Sequence, residues 1–323
     1  MTDDAILDVD LLQYERGGRA ARLAVVDGVR RSLATGFVYS RHDLGEDLLD
    51  EAYGLLAAFF HLPAEWKAGY RVPASLGQTG YTGLLVETAA VSDRPDWKEM
   101  LNWGHEVPAG HPLATRYPHR YMPRVLPEAH VPGIARALAR LHDGLLDLQT
   151  RFLRIVAEGL GLAPGFFDGM LRDGPTLCRA LRYPPMRDAP PGGHVWAERH
   201  ADINLITALP RATSPGLEVE VEGAWIAAAP PPGHAILNTG LMLERLTNGR
   251  IPPGIHRVVA AEEEGERYSV VQFCHPTPWT VLGPVAACVD ALHPQRESAI
   301  EAGAWLDQVL YDINLVDEAP RVP

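Results

Sequence analysis

Cysteine is scarce in this chain. Its 323 residues include three, Cys178, Cys274 and Cys288, at wide and unrelated spacings. An odd and sparse set provides neither a disulfide framework nor the closely spaced pairs of a zinc knuckle. The fold must therefore rest on a hydrophobic core, for which a hydrophobic content of 46% is ample. The reducing cytoplasm is the predicted compartment.

Long apolar runs are also missing. No stretch approaches the ~18 residues that identify a membrane-spanning helix. The first ten residues, MTDDAILDVD, are acidic and lack the basic and apolar segments of a signal peptide. We therefore expect an intracellular protein without a membrane partner.

Basic charge is in deficit. Twenty-nine Lys and Arg residues face 41 Asp and Glu residues, which gives a net charge of -12. A net negative charge is unfavourable for binding the phosphate backbone of nucleic acid. The predicted partner is a small-molecule substrate, and the predicted state is a monomer or a small homo-oligomer. The abundance of Ala, Arg, Gly and Pro suggests a GC-rich bacterial genome and a role in specialised metabolism such as antibiotic biosynthesis.

The hydrophobic period changes near the middle of the chain. Apolar residues recur at spacings of three to four through 17–60 and 135–160, which predicts helices, and the tail 297–312 is similar. From about residue 176 the period becomes two, which predicts strands. The predicted strands are LCRALRYPP, HADINLITALP, GLEVEVEGAWIAAAP, HAILNTG, HRVVAAE and RYSVVQFC. A mostly β fold follows, with an antiparallel sandwich or jelly-roll core and helices outside it.

A histidine and a carboxylate two positions apart stand at the head of one predicted strand. His200 and Asp202 would share a face there, because side chains at i and i+2 of a strand point the same way. A buried carboxylate is costly unless it is paired, hydrogen-bonded or bound to a metal. The alternative is a surface face, or an Asp202 that merely orients His200.

Three further residues favour the metal interpretation. His256 begins another predicted strand, and Arg267 and Ser269 lie two apart on a third. Two histidines and one carboxylate form the facial triad of non-haem Fe(II) oxygenases. An arginine with a serine on the same inward face suits a carboxylate ligand, because the guanidinium binds it with two parallel hydrogen bonds.

An ordered series of short segments resembles the isopenicillin N synthase-like family of iron(II)/2-oxoglutarate-dependent dioxygenases. The series covers most of the chain, and a lone His-x-Asp would be far less specific. Its segments are GFVYS, FFHLPAEWK, TGY, DWKEMLNWG, LRYPP, HADINLIT, GLEVEVEGAWIAAAPPPGHAILNTG, LERLTNG, HRVV and RYS. The resemblance implies a double-stranded β-helix (jelly roll) core.

The resemblance also implies roles for individual residues. The two histidines and Asp202 would ligate Fe(II), and Arg267, Ser269 and Tyr183 would bind 2-oxoglutarate, with O₂ as the second cosubstrate. Leu181 stands where many plant members have an asparagine, so one contact to the cosubstrate is absent. Related halogenases lack the carboxylate ligand, so Asp202 makes hydroxylation of an unactivated C–H bond the expected reaction.

Four residues are predicted to line the substrate pocket: Tyr81, Asn102, Asn204 and Phe273. Asn204 is the most informative, because a continuous strand would place it on the face of the two ligands. The alternative is that it is a polar group at a turn or an edge. Trp97, Lys98 and Glu99 are expected to fix the N-terminal helices against the barrel.

The resemblance divides the chain into four parts of one compact unit. They are an N-terminal helical and mixed region (1–125), a long-helix scaffold (126–175), the jelly-roll core (176–285) and a C-terminal helix and tail (286–323).

Three other functions stay open from the sequence. An oxidase of isopenicillin N synthase type would use no 2-oxoglutarate, and Arg267 and Ser269 would hold its substrate's carboxylate. A ligand-binding protein could keep the fold without catalysis. A zinc hydrolase or cupin-like isomerase could use the same ligands, but an Arg-x-Ser pair would then lack a purpose.

Overall fold

Helices dominate the first half of the chain and strands the second. The computed structural model describes residues 5–75, 77–88, 94–260 and 265–312. The helices are α1 (Leu11–Arg16), α2 (Arg19–Ser32), α3 (Glu46–Phe60), α4 (Ala64–Ala68), α5 (Pro112–Arg116), α6 (Ile134–Gly159), α7 (Asp168–Leu171), α8 (Leu241–Leu246) and α9 (Ala302–Asp312). The strands are β1 (Asp8–Asp10), β2 (Phe37–Arg41), β3 (Gly80–Thr82), β4 (Glu99–Gly104), β5 (Leu177–Tyr183), β6 (Ala197–His200), β7 (Ile206–Leu209), β8 (Leu217–Val221), β9 (Ala224–Ala227), β10 (His234–Thr239), β11 (His256–Val258), β12 (Arg267–Cys274), β13 (Val281–Leu282) and β14 (Ile300–Glu301).

Two β-sheets face each other and enclose the inner layer of the core. The large sheet has the order β1-β2-β10-β7-β12-β5-β4-β3 and is antiparallel except between β1 and β2. The small sheet has the order β6-β11-β8-β9. Buried side chains of both sheets, such as Ile236 of the large sheet and Val219 of the small one, form one hydrophobic cluster between them. This double-sheet arrangement agrees with the predicted jelly-roll core.

The large sheet separates this inner layer from the helices. On β12 the odd-numbered side chains from Arg267 to Phe273 face the space between the sheets, as the period of two predicts. Its even-numbered side chains face the helices, and Gln272 donates a hydrogen bond to the backbone of α6. In return, Gln149 of α6 donates to the carbonyl oxygens of Ile206 and Gln272. The long helix thus braces the sheet from outside.

The segment HADINLITALP is not one strand, as predicted, but two in different sheets. β6 ends at His200, β7 begins at Ile206, and residues 201–205 form a turn between them. The amide of Leu241 donates to the carbonyl of Asp202, and the amide of Gly240 donates to that of Leu205. At this turn, hydrogen bonds to the start of α8 take the place of the hydrogen bonds that a neighbouring strand would make.

The N-terminal region is less helical than predicted. Its strands β1 and β2 form one edge of the large sheet, and β3 and β4 form the other. DWKEMLNWG thus supplies β4, which pairs with β5 along its whole length. The boundaries at residues 125, 175 and 285 stay predictions, and the large sheet crosses the first two of them.

Glu99 of β4 binds the N-terminal region to the sheet, as expected. Its buried carboxylate accepts from Lys67 Nζ at 2.6 Å, from the Tyr81 hydroxyl at 2.5 Å and from Arg182 Nη1 at 2.7 Å. We expect Glu99→Leu to lower the free energy of unfolding by about 3–5 kcal/mol, because Lys67 would stay buried without a counter-charge. Urea denaturation measures this. Glu266→Gln, which removes the other and more exposed partner of Arg182, is the control and should cost about 1 kcal/mol or less.

Candidate metal centre

Three groups that can ligate a metal converge where β6 meets β11. His200 ends β6 and lies opposite His256, the first residue of β11, so that their ring centroids are 4.2 Å apart. Asp202 reaches the same point from the turn after β6. Its Oδ1 lies 3.9 Å from His200 Nε2 and 4.0 Å from His256 Nε2. One ligand atom from each residue lies within 4.8 Å of the others.

Backbone carbonyls fix both imidazoles in the ligating tautomer. Nδ1 of His200 lies 2.7 Å from the carbonyl oxygen of Glu198, and Nδ1 of His256 lies 3.0 Å from that of Gly254. Because a carbonyl oxygen only accepts, the proton must be on Nδ1, and Nε2 keeps a free lone pair. Burial lowers the pKa of His200, with a smaller contribution from His256, so this imidazole is neutral at pH 7.

Asp202 has one oxygen engaged and one free. Its Oδ2 accepts from Thr207 Oγ1 at 2.6 Å and from Asn238 Nδ2 at 2.7 Å, which leaves Oδ1 for a metal. Burial opposes ionisation, but His256, His200 and the two hydrogen bonds outweigh it and lower the pKa of Asp202. An ionised carboxylate with one free oxygen and two imidazoles whose Nε2 atoms lie within about 4 Å of it fit Fe(II).

Asn204 supports this carboxylate indirectly instead of lining a pocket. It is fully buried, and its Nδ2 donates to the carbonyl of Ile206 at 2.6 Å and to Thr207 Oγ1 at 3.2 Å. The single hydroxyl proton of Thr207 goes to Asp202, its shortest contact. The turn at 201–205 breaks the alternation on which the predicted pocket position rested, so Asn204 does not share the face of the ligands.

Thr207→Val should weaken metal binding about 10- to 100-fold, the usual cost of losing a partner that orients a metal ligand. The change keeps the shape of the side chain and removes the bond to Asp202, together with the longer bond from Asn204. Anaerobic Fe(II) titration against a competing chelator measures the affinity. Thr277→Val is the matched control, because that hydroxyl is also buried but bonds Thr280. Equal affinities of the two variants would contradict the prediction.

A buried arginine shares the cavity with the three metal-ligating groups. Arg267 is 1% exposed, and its Nε donates to the carbonyl of Ser214 and its Nη1 to Ser269 Oγ at 3.0 Å. Its guanidinium lies 5.1 Å from the ring centroid of Tyr183, the residue opposite it on β5. Among the described residues no carboxylate forms an ion pair with it. A buried cation without a counter-charge is costly, so the site calls for an anionic ligand.

Of the four predicted substrate residues, only Phe273 lines this cavity. The Tyr81 hydroxyl donates to Glu99, and Asn102 Oδ1 accepts from Arg179 Nε at 2.8 Å without lining the cavity itself. Lys98, expected to support the N-terminal helices, lines the cavity instead.

Sequence reasoning missed three other polar residues that line the cavity, Arg179, Thr207 and Asn238. Arg179 could have been found, because on a strand it shares a face with Tyr183. A larger cavity of about 690 Å³ between α2 and the end of α6 contains none of the predicted site residues. Chemistry, not size, therefore distinguishes the site.

Two family models match the chain. The model of the 2OG-Fe(II) oxygenase superfamily matches residues 175–276. The model of the N-terminal region of the non-haem dioxygenase in morphine synthesis matches residues 7–129. Mugineic-acid 3-dioxygenase of Hordeum vulgare is 31% identical over 93% of this chain and 84% of its own length. The chain belongs to the 2OG-Fe(II) oxygenase superfamily.

Solved structures of similar proteins superpose along almost the whole chain. A putative 2OG-Fe(II) oxygenase family protein from Caulobacter crescentus is 32% identical with a TM-score of 0.84, and the match covers 96% of this chain and 99% of that one. A full-length Neurospora crassa protein, solved in complex with alpha-KG, is 25% identical with a TM-score of 0.80. The match covers 96% of this chain and 98% of that one. The predictions of a jelly-roll fold and of an Fe(II)- and 2-oxoglutarate-dependent dioxygenase are confirmed. No helix of the described residues is long and apolar enough to cross a membrane.

Proposed function

We propose that this oxygenase hydroxylates an unactivated C–H bond of a small molecule. In the balanced reaction, one oxygen atom of O₂ enters the substrate as a hydroxyl group. The other enters succinate as 2-oxoglutarate loses CO₂. The observation that carries the proposal is the buried Arg267 without a counter-charge among the described residues, in one cavity with the three ligating groups.

Each residue of the site has a defined task in this proposal. Nε2 of His200, Nε2 of His256 and Oδ1 of Asp202 would hold Fe(II), which when bound activates O₂. Arg267 and Ser269 would bind the distal carboxylate of 2-oxoglutarate, and the fixed hydrogen bonds of Arg267 orient its guanidinium beforehand.

Tyr183 supports the cosubstrate site through its ring. The ring packs beside the guanidinium of Arg267 on one side and against Trp196 on the other, at a centroid distance of 5.5 Å. Apolar side chains such as Leu209, Ile236 and Val258 line the cavity around these groups and limit the access of water. A dry cavity strengthens the attraction between Arg267 and a carboxylate.

The deciding experiment follows O₂ uptake and succinate formation with each component omitted in turn. We expect both to require Fe(II) and 2-oxoglutarate, and the product to gain one oxygen atom in mass. An oxidase of isopenicillin N synthase type would consume O₂ without 2-oxoglutarate and give a product that has lost hydrogen. A ligand-binding protein would consume neither O₂ nor 2-oxoglutarate.

The physiological setting belongs to the same proposal. A cytoplasmic enzyme of bacterial specialised metabolism is suggested by composition alone, and a monomer or small homo-oligomer stays a prediction. Hydroxylation, as opposed to halogenation, is supported by the carboxylate ligand Asp202.

A further inference from the structure

Two more cationic side chains line the cavity besides Arg267. They are Arg179 of β5 and Lys98, the residue before β4. Across the β5–β12 ladder, Arg179 lies opposite Val271, whereas Tyr183 lies opposite Arg267. Four residues of strand correspond to roughly 13 Å. The backbone of Arg179 is therefore offset along the sheet from that of Arg267, which favours a separate anion for each arginine.

Three contacts hold the guanidinium of Arg179 in place. Its Nε donates to Asn102 Oδ1 at 2.8 Å, its Nη1 pairs with Glu87 Oε1 at 3.2 Å, and its Cζ lies 5.6 Å from the ring centroid of Phe273. Among the described residues, Nη2 has no hydrogen-bond acceptor. One edge of a fixed guanidinium is thus left to bind a ligand.

Lys98 is equally constrained. It is 8% exposed, and its Nζ lies 2.8 Å from Asp96 Oδ2 and 3.2 Å from Glu87 Oε2. Burial favours the neutral amine, but Glu87 and Asp96 outweigh it and raise the pKa of Lys98, so the ammonium stays charged. An ammonium has three N–H donors, and within the described part of the chain these two contacts leave one without an acceptor.

The arrangement of Arg179, Lys98, Glu87 and Asp96 determines which charge the cavity wall presents to a ligand. Glu87 bridges the two cations: both of its oxygens contact Arg179 Nη1, and Oε2 also contacts Lys98 Nζ. Neither Glu87 nor Asp96 lines the cavity, whereas both cations do. The carboxylates therefore act as supports from behind, and the cavity wall presents two adjacent positive groups with unused N–H donors.

We propose that Arg179 and Lys98 bind a carboxylate of the primary substrate, which is therefore a small carboxylic acid. The inference rests on the proposed function, since it assigns the triad and Arg267 to the metal and the cosubstrate. Phe273 would then contact the body of the acid, beside the guanidinium that holds its charged end.

The first test compares acids with their uncharged counterparts. The probes are the free amino acids, straight-chain alkanoates and arylacetates, each beside its primary amide. Anaerobic binding to the protein loaded with Fe(II) and 2-oxoglutarate is measured first, and stimulation of succinate formation second. We expect bound acids whose amides bind about 10- to 100-fold more weakly, as for a lost charge-assisted hydrogen bond.

Two variants on β5 distinguish a loss of binding of the acid from a general effect on folding. Arg179→Gln should weaken binding of the acid about 10- to 100-fold and leave the affinity for 2-oxoglutarate unchanged. Arg182→Gln is the matched control: its side chain is 18% exposed against 17% for Arg179, and it also pairs with glutamate, but it faces away from the cavity. It should leave binding of the acid unchanged.

Glu87→Gln provides a second variant that keeps both cations. It should weaken binding of the acid less than Arg179→Gln does, because both cations are kept and the amide oxygen can still accept from one of them.

Several results would overturn the inference. They are equal binding of acids and amides, a panel in which no acid binds, equal losses in Arg179→Gln and Arg182→Gln, or a loss in Glu87→Gln as large as that in Arg179→Gln. If 2-oxoglutarate itself fails to bind to wild type, the proposed function fails. Normal 2-oxoglutarate turnover without any preference for acids overturns the substrate class alone.

Discussion

Asp202→Ala is expected to lower the affinity for Fe(II) by more than about 100-fold and to abolish 2-oxoglutarate turnover. Loss of a group that only orients a ligand costs about 10- to 100-fold, and loss of the ligand costs more. The change removes the free Oδ1 and leaves the donors on Thr207 and Asn238 without an acceptor. Each buried donor left unpaired also costs about 1–3 kcal/mol of stability.

The measurement must therefore separate metal loss from unfolding. Circular dichroism and urea denaturation establish the folded fraction, and anaerobic competition with a chelator gives the affinity of that fraction. His200→Ala and His256→Ala should behave in the same way, whereas Asp290→Ala, which alters an exposed carboxylate, should not. Wild-type turnover in any of the three site variants would remove the metal assignment.

The triad was predictable from the sequence even though the geometry used to predict it was wrong. Period-two alternation placed His200 and Asp202 on one face of a strand, but Asp202 lies in a turn. The turn is fixed by backbone bonds to Gly240 and Leu241, almost forty residues later, and no local pattern contains that information. The residue types identified the chemistry, because a metal requires convergent donors and not a particular backbone.

Alternation succeeded where a strand was long and continuous. On β12 it placed Arg267, Ser269 and Phe273 on the inner face, since the direction of a side chain is a local property of an extended backbone. The roles of Asn102 and Lys98 could not be read from the sequence, because they depend on which strand pairs with β4. Asn102 lies opposite Arg179, and that pairing joins residues 77 positions apart.

Arg267→Ala is expected to raise the dissociation constant of 2-oxoglutarate about 10- to 150-fold, which corresponds to a lost charge-assisted contact of about 1.5–3 kcal/mol. The guanidinium is buried and already oriented, so a bound carboxylate gains the contact with little loss of side-chain entropy. Ser269→Ala removes one neutral donor and should raise the constant only about 2- to 10-fold. Anaerobic titration with 2-oxoglutarate measures both.

A double-mutant cycle identifies the group that Arg267 contacts. The second change is made in the ligand: 2-oxovalerate lacks the distal carboxylate but keeps the 2-oxo acid that binds the metal. Wild type should bind 2-oxovalerate about as weakly as Arg267→Ala binds 2-oxoglutarate, and the variant should barely distinguish the two ligands, because contacting groups are not additive. If 2-oxoglutarate binds equally well to wild type and to Arg267→Ala, Arg267 holds the primary substrate instead. The proposed cosubstrate site would then be wrong, although the metal site would stand.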